Sequence, residues 1–242
     1  MIRIVFIICN CLFFIGCASV KVQEQTQWSS VAIPEMASVG HMKGTPFSHY
    51  FEVSGILSLP QKVRVTVEFI PFTRKSYKVY SRYLEEKGIL NTIVFHDSLA
   101  VKPVFAKITV ADMVSLKDAM NTPENLSLRE YVLHDESYKI ITSVSAALSQ
   151  QQQQQLQKAE SMYLVQDGPQ KVALELVYNE KPYAVLGLSE IEAFAWSHAS
   201  FCWGYDQRQE PVVKSLSTNG NCPAQTVKKG WKLTETHQEI RF

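Results

Sequence analysis

The densest run of chemistry-bearing side chains in the 242-residue chain is Phe194 to Tyr205, Phe-Ala-Trp-Ser-His-Ala-Ser-Phe-Cys-Trp-Gly-Tyr. Aromatic faces offer rigid apolar area with polar handles at the ring edge. Trp196, Trp203 and Tyr205 are therefore candidates for a platform under a sugar ring or a peptide. The same rings would serve as core, where clustered aromatics usually go. Ser197, His198 and Asp206 supply the residue types of a nucleophilic triad. Ser189 with Glu192 reads as a capping box, and Ile191, Phe194, Ala195 and His198 share one helical face, which predicts a helix over about 190–198. Neighbours on a helix point about 100° apart, so Ser197 and His198 would not share a proton there.

Two His-Asp pairs, His96-Asp97 and His134-Asp135, stand where turns should follow apolar strands. Asp in a turn bonds its own backbone, and a metal would require the two turns to converge. No metal site is assigned. The chain contains no G-x-S-x-G, H-E-x-x-H, G-x-x-x-x-G-K-[ST] or G-x-G-x-x-G segment, the arrangements that build common nucleophile, zinc and phosphate sites. No catalytic residue and no cofactor are assigned, and a non-enzymatic role is expected ahead of a hydrolase.

The chain opens Met1-Ile2-Arg3 and continues as an apolar run from Ile4 to Ile15 broken only by Asn10. One positive charge, about a dozen apolar residues and small residues at the end are the three regions of a secretory signal. A membrane-spanning helix would need about 20 apolar residues. The segment Phe14-Ile15-Gly16-Cys17 resembles the lipobox of bacterial lipoproteins, with Phe14 where that family usually has Leu. The resemblance implies that residues 1–16 are a signal cut between Gly16 and Cys17, that the Cys17 thiol carries a diacylglycerol, and that the new amino terminus is acylated. A thiolate is the side chain nucleophilic enough to take the lipid near neutral pH. Ala18 is not the acidic residue that retains many such proteins at the inner membrane. The resemblance therefore further implies a cell-envelope protein, lipid-anchored at the outer membrane and facing the periplasm.

Of the five cysteines, Cys9 and Cys11 would leave with the signal and Cys17 would be taken by lipid. Cys202 and Cys222 remain, and an exported protein with an even pair most simply forms one disulfide. A metal or redox pair is the competing reading, without a Cys-x-x-Cys or a ligand-spaced His to support it. The residues between, 204–221, are rich in Gln, Ser, Thr, Asn, Pro and Gly and read as a loop needing such a staple.

Lys and Arg number 24 against 23 Asp and Glu, and hydrophobic residues make up 46% of the chain. Such a chain can bury a core, and its neutral balance leaves no basic footprint for nucleic acid. The expected partners are the membrane, through the lipid, and an envelope protein.

Positioning these residues calls for an α+β fold, mainly antiparallel β-sheet with a few peripheral helices. Residues 17–47 are polar and aperiodic and read as a lipidated terminus and flexible tether. Residues 48–242 are expected to form one β-rich domain, or two halves meeting near 149–160. Val63, Val65, Val67 and Phe69 alternate with Arg64, Thr66 and Glu68, a half-buried strand expected to pair with 50–59 around Pro60-Gln61. Helices are predicted from Ser76 to Lys87-Gly88, over Met113–Met120, and over the glutamine tract after Ser149. Further strands are expected at 92–96, 101–110, 129–133 in a hairpin with 138–144, 162–166, 171–178 and 183–187. The function that follows is an interaction or accessory lipoprotein docking a partner on an exposed β-edge. The alternative is a periplasmic module that binds a glycan or peptide on Trp196, Trp203 and Tyr205.

Overall fold

The structure is a computed structural model that describes residues 19–22, 25–30, 32–45 and 48–234. The expected signal, with Gly16 and Cys17, lies outside the described residues. The chain runs β1 (Ser19–Val22), β2 (Gln25–Trp28), β3 (Ser38–Thr45), β4 (Ser48–Ile56), β5 (Val63–Pro71), α1 (Arg74–Lys87), β6 (Val104–Val110), α2 (Met113–Met120) and α3 (Leu126–Leu133). It continues with β7 (Tyr138–Ala147), α4 (Gln150–Lys158), β8 (Ser161–Gln166), β9 (Val172–Tyr178), β10 (Lys181–Gly187), β11 (Glu192–Tyr205) and β12 (Pro211–Ser217). This is the mainly antiparallel α+β architecture the patterning predicts.

All twelve described strands join one sheet built on the long antiparallel pair β7 and β11. Each of these two strands takes different neighbours along its length. β7 pairs with β6 through Ser143–Ala146 and with β3 through Tyr138–Ile140. β11 meets β2 at Trp196 and β12 from Ser200 to Tyr205. The register slips three times along β11: Phe194 is the extra residue in β11 itself, Thr142 is extra in β7 opposite Ser197/His198, and Lys214 is extra in β12 opposite Cys202/Trp203. An extra residue in one strand kinks it and increases its twist.

Both faces of the central pair are covered. One core gathers Leu57, Ile108, Ile140, Val144, Leu164, Trp196 and Trp203. The other lies under α1 and holds Phe72, Tyr80, Tyr83, Leu84, Phe105 and Phe194, with Val22 of β1. Each large apolar side chain so buried contributes about 1.5–3 kcal/mol. The helices start and stop as their local chemistry dictates. α4 has a capping box between Ser149 and Gln152, which lets a run of glutamines hold a helix. α1 ends at Gly88 with φ 68°, a left-handed turn that glycine takes without strain. Its cap is Thr73, one turn before the expected Ser76, and Ser76 is the reciprocal partner in that capping box.

Several expectations are corrected. The span expected as a tether carries β1, β2 and β3 within its described part, with Gln27, Met36, Ala37 and Val39 fully buried. Its polar composition hid these strands, because an edge strand needs few apolar positions when its polar ones find partners inside. Residues 190–198 form no helix; one turn at Leu188–Glu190 leads into β11. A strand covered on both faces is apolar throughout, so helical spacings occur in it by accident. Residues 129–133 end α3, with Val132 and Leu133 buried, and 92–96 are not a strand. The 204–221 segment contains β12. β4 and β5 flank the Pro60-Gln61 turn without pairing, since β4 pairs β3 and β5 lies between β6 and β8. The pairing of Val63 with Leu164 also carries the sheet straight across the 149–160 region.

Candidate functional site

The sheet opens where Thr142 of β7 is inserted opposite Ser197 and His198 of β11. β2 meets β11 at Trp196 and β12 joins only at Ser200, while on β7 the partner changes from β6 at Ser143 to β3 at Ile140. The gap is a cleft of about 640 Å³. Thr26, Thr109, Thr142, Ser143, Ser197, Ser200, Ser217 and Thr218 supply hydroxyls to its lining, joined by Asn219, His198 and the apolar Trp28, Val110 and Met113. Among the described residues no Asp, Glu, Lys or Arg lines it.

Some of these groups are fixed by each other. The hydroxyls of Thr109 and Ser143, partners across β6 and β7, are hydrogen-bonded at 2.9 Å. Ser217 Oγ donates to Asn219 Oδ1 at 2.8 Å, and the Asn221 N–H donates to the same oxygen at 2.9 Å. His198 is held between chemistries. Its Nδ1 is buried and bonded to no protein group, and its ring centroid lies 6.0 Å from that of Trp196. Burial, with a smaller push from the Lys139 charge, lowers its pKa to about 4. The imidazole is therefore neutral at pH 7, with one ring nitrogen a donor and the other an acceptor. The Cys202–Cys222 disulfide, with Cα atoms 5.5 Å apart, ties the chain just beyond the Ser217–Gly220 rim back to β11. This is the disulfide expected from the cysteine count.

The aromatic platform is corrected. Trp196 and Trp203 are 0% and 1% exposed. Trp196 packs edge-on against Phe51 at 5.2 Å. Trp203 packs with Phe201 and beneath Gly230, where an added Cβ would come within 2.9 Å of its ring. Tyr205 is half-buried and its hydroxyl donates to the Leu233 carbonyl at 2.6 Å. Two of the three rings are core and the third is a strut. Ser197 and His198 both line the cleft, whereas Asp206 sits at the β11–β12 turn, accepting the N–H groups of Arg208 and Glu210 at 2.8 Å each. These three residues do not assemble a triad. Among the described residues, no group of three or more His, Cys, Asp and Glu is placed to hold a metal.

The residues that line the cleft come from five separated stretches of chain. One local signal existed: Thr142, Ser143 and Ser145 interrupt the apolar β7 and are nonetheless buried. Buried hydroxyls in a strand covered on both faces need partners, and here they lie beside a cleft.

Comparison with protein-family models, with curated proteins and with solved structures gives no match. Among the described residues no helix is long and apolar enough to cross a membrane.

Proposed function

We propose that the protein is a cell-envelope lipoprotein, anchored through Cys17 at the periplasmic side of the outer membrane, whose domain binds an uncharged, hydroxyl-bearing ligand in the cleft beside Thr142, Ser197 and His198. The lipobox-like Phe14-Ile15-Gly16-Cys17 segment supports the anchor. The observation that carries the binding reading is the lining itself, which among the described residues is rich in hydroxyls, holds a neutral imidazole and has no charged side chain. A charged ligand would find no counter-ion there, and an apolar one would leave the hydroxyls unpaired. Saccharide hydroxyls both donate and accept, which matches the serine and threonine hydroxyls of the lining. Half-buried Trp28 adds a flat apolar face of the kind sugar rings stack on. An envelope glycan is the ligand class that fits.

The test is a titration of the mature protein with neutral oligosaccharides, read by tryptophan fluorescence. A saturable change is expected, abolished by Trp28→Phe and weakened about tenfold by His198→Gln. A flat response to every neutral glycan would overturn the binding reading. Intact mass of the protein recovered from the envelope tests the anchor, and an unmodified Cys17 would overturn it.

A docking role has one observation in its favour. Among the described strands β4 pairs only with β3, and Tyr50 and Val53 are exposed on it. Such an edge can accept a strand from an envelope protein. Crosslinking in intact cells would then recover a stoichiometric partner that is lost when Cys17→Ala mislocalises the protein.

A further inference from the structure

One side of the molecule combines positive charge with bare apolar side chains. α1 carries Arg74, Lys75, Lys78, Arg82 and Lys87 against Glu85 and Glu86. Tyr80, Tyr83 and Leu84 turn toward the core. Helical spacing sets Arg74, Lys78 and Arg82 in one strip on the opposite side, with Lys75 beside it. Arg74, Lys75 and Lys78 are exposed, whereas Lys87 reaches Glu192 at 3.6 Å.

Residues 88–103, between α1 and β6, contain no helix or strand, a length that in compact domains usually serves a purpose. The segment is held along the flank of α1. The Tyr77 hydroxyl donates to the Ile93 carbonyl at 2.7 Å, Asn91 Nδ2 donates to Ser81 Oγ at 3.0 Å, and Phe95 stacks on Tyr77 at 4.9 Å. With alternate residues turned inward, Leu90 and Val94 are left 84% and 69% exposed, and Val101 is 87% exposed. Large apolar side chains on a fixed loop beside a basic strip are the composition of a surface that meets lipid.

The position of the anchor agrees. α1 packs against β1, whose Val22 shares a core with Tyr80 and Tyr83, and Lys21 of β1 is exposed. Ser19, the first residue of β1, follows Cys17 by two positions, and two residues of chain span at most about 7 Å. Ser19 lies at the end of β1 that pairs with Trp28, and the three residue steps from it to Val22 under α1 span about 10 Å, so a lipid on Cys17 would hold the bilayer within reach of this side of the domain.

We propose that the outer face of α1, together with Leu90, Val94 and Val101, seats on an anionic phospholipid bilayer. The apolar side chains enter the headgroup layer, and the basic strip takes the lipid phosphates. The inference rests on the lipid-anchor reading only for the side that faces the membrane; the strip and the loop stand without it. The domain then lies against the bilayer as a second attachment.

The test uses the mature chain without its lipid, residues 18–242, which carries every described strand and helix. Co-sedimentation with vesicles of phosphatidylethanolamine and phosphatidylglycerol is expected, reduced by high salt and absent with phosphatidylcholine alone. Lys75→Glu with Lys78→Glu should abolish it, and Leu90→Asp, Val94→Asp and Val101→Asp together should weaken it about tenfold or more. These positions are exposed, so circular dichroism and Tm should be unchanged. An environment-sensitive label on Leu90→Cys should shift to the blue on vesicles, whereas the same label on Val185→Cys, on β10 at the other end of the strand order, should not. Failure to bind anionic vesicles, or equal response of both labels, overturns the surface. Mass analysis of the envelope protein separates the two ideas: lipid on Cys17 without vesicle binding defeats the surface alone, and vesicle binding with an unmodified Cys17 defeats the anchor alone.

Discussion

Ser145 Oγ on β7 donates to Gln27 Oε1 on β2 at 2.7 Å, joining two strands that do not pair and reaching past β11, which lies between them. Both side chains are fully buried, and Gln27 Nε2 is left without a partner. Gln27→Leu should destabilise the fold by about 1–3 kcal/mol, because it orphans the buried Ser145 hydroxyl. Adding Ser145→Ala should recover much of that loss, since the double variant leaves no unpaired polar atom of this pair. A double-mutant cycle by chemical denaturation measures both. An unchanged midpoint for Gln27→Leu would mean that β2 contributes nothing to the stability of the sheet.

His198 makes stability depend on pH in a defined window. Its folded value of about 4 lies below the ordinary 6.5. Between those values the unfolded chain binds a proton that the folded one refuses, so stability is level above pH 6.5 and falls as pH drops toward 4. The whole window corresponds to at most about 3 kcal/mol. Denaturation midpoints of the parent and of His198→Gln at pH 7 and pH 5 test this. The parent should lose more than the variant, and equal losses would show that His198 is not the group responsible.

The elements legible in the sequence were those with one wet face. β5 reads true because Val63 and Val65 are buried while Arg64 and Thr66 face water. α4 reads true because Ser149 caps it and Leu156 is its single buried anchor. β11 was illegible for the opposite reason: with Phe194, Trp196 and Phe201 buried alongside Ala195, Ala199 and Cys202, neither period stands out. The cleft was hidden because Thr109, Ser143, His198 and Ser217 meet only through pairing, and hydroxyl residues in strands carry no local mark of a site. The disulfide was readable because it needed only a count.

The Cys202–Cys222 bond should stabilise the fold by about 3 kcal/mol, the worth of closing a loop of this length in the unfolded chain. Reductant should lower the Tm of the parent and leave that of Cys202→Ala with Cys222→Ala unmoved. Because the bond also pins the Ser217–Gly220 rim, glycan affinity should fall with it. A parent Tm indifferent to reductant would refute the assignment.

Gly40 is a position where any side chain must collide. A Cβ there would lie 2.0 Å from the Glu52 carbonyl oxygen and 2.8 Å from the Phe51 ring. Gly40→Ala should cost about 2–3 kcal/mol or prevent folding. Gly55→Ala, whose Cβ would meet Leu128 at 3.4 Å, should be far milder. Comparing the two denaturation midpoints tests whether β3 and β4 are packed as closely as the register requires.

The order of strands also governs timing. A ribosome delivers the chain amino end first, yet Trp28 pairs with Trp196 and Val39 with Ile140. β1 and β2 therefore emerge early and can pair only with each other until β11 has been made. Closure of the sheet is a late event, and nascent chains halted before Trp196 should remain protease-sensitive over their first strands, with open edges that a chaperone could shield.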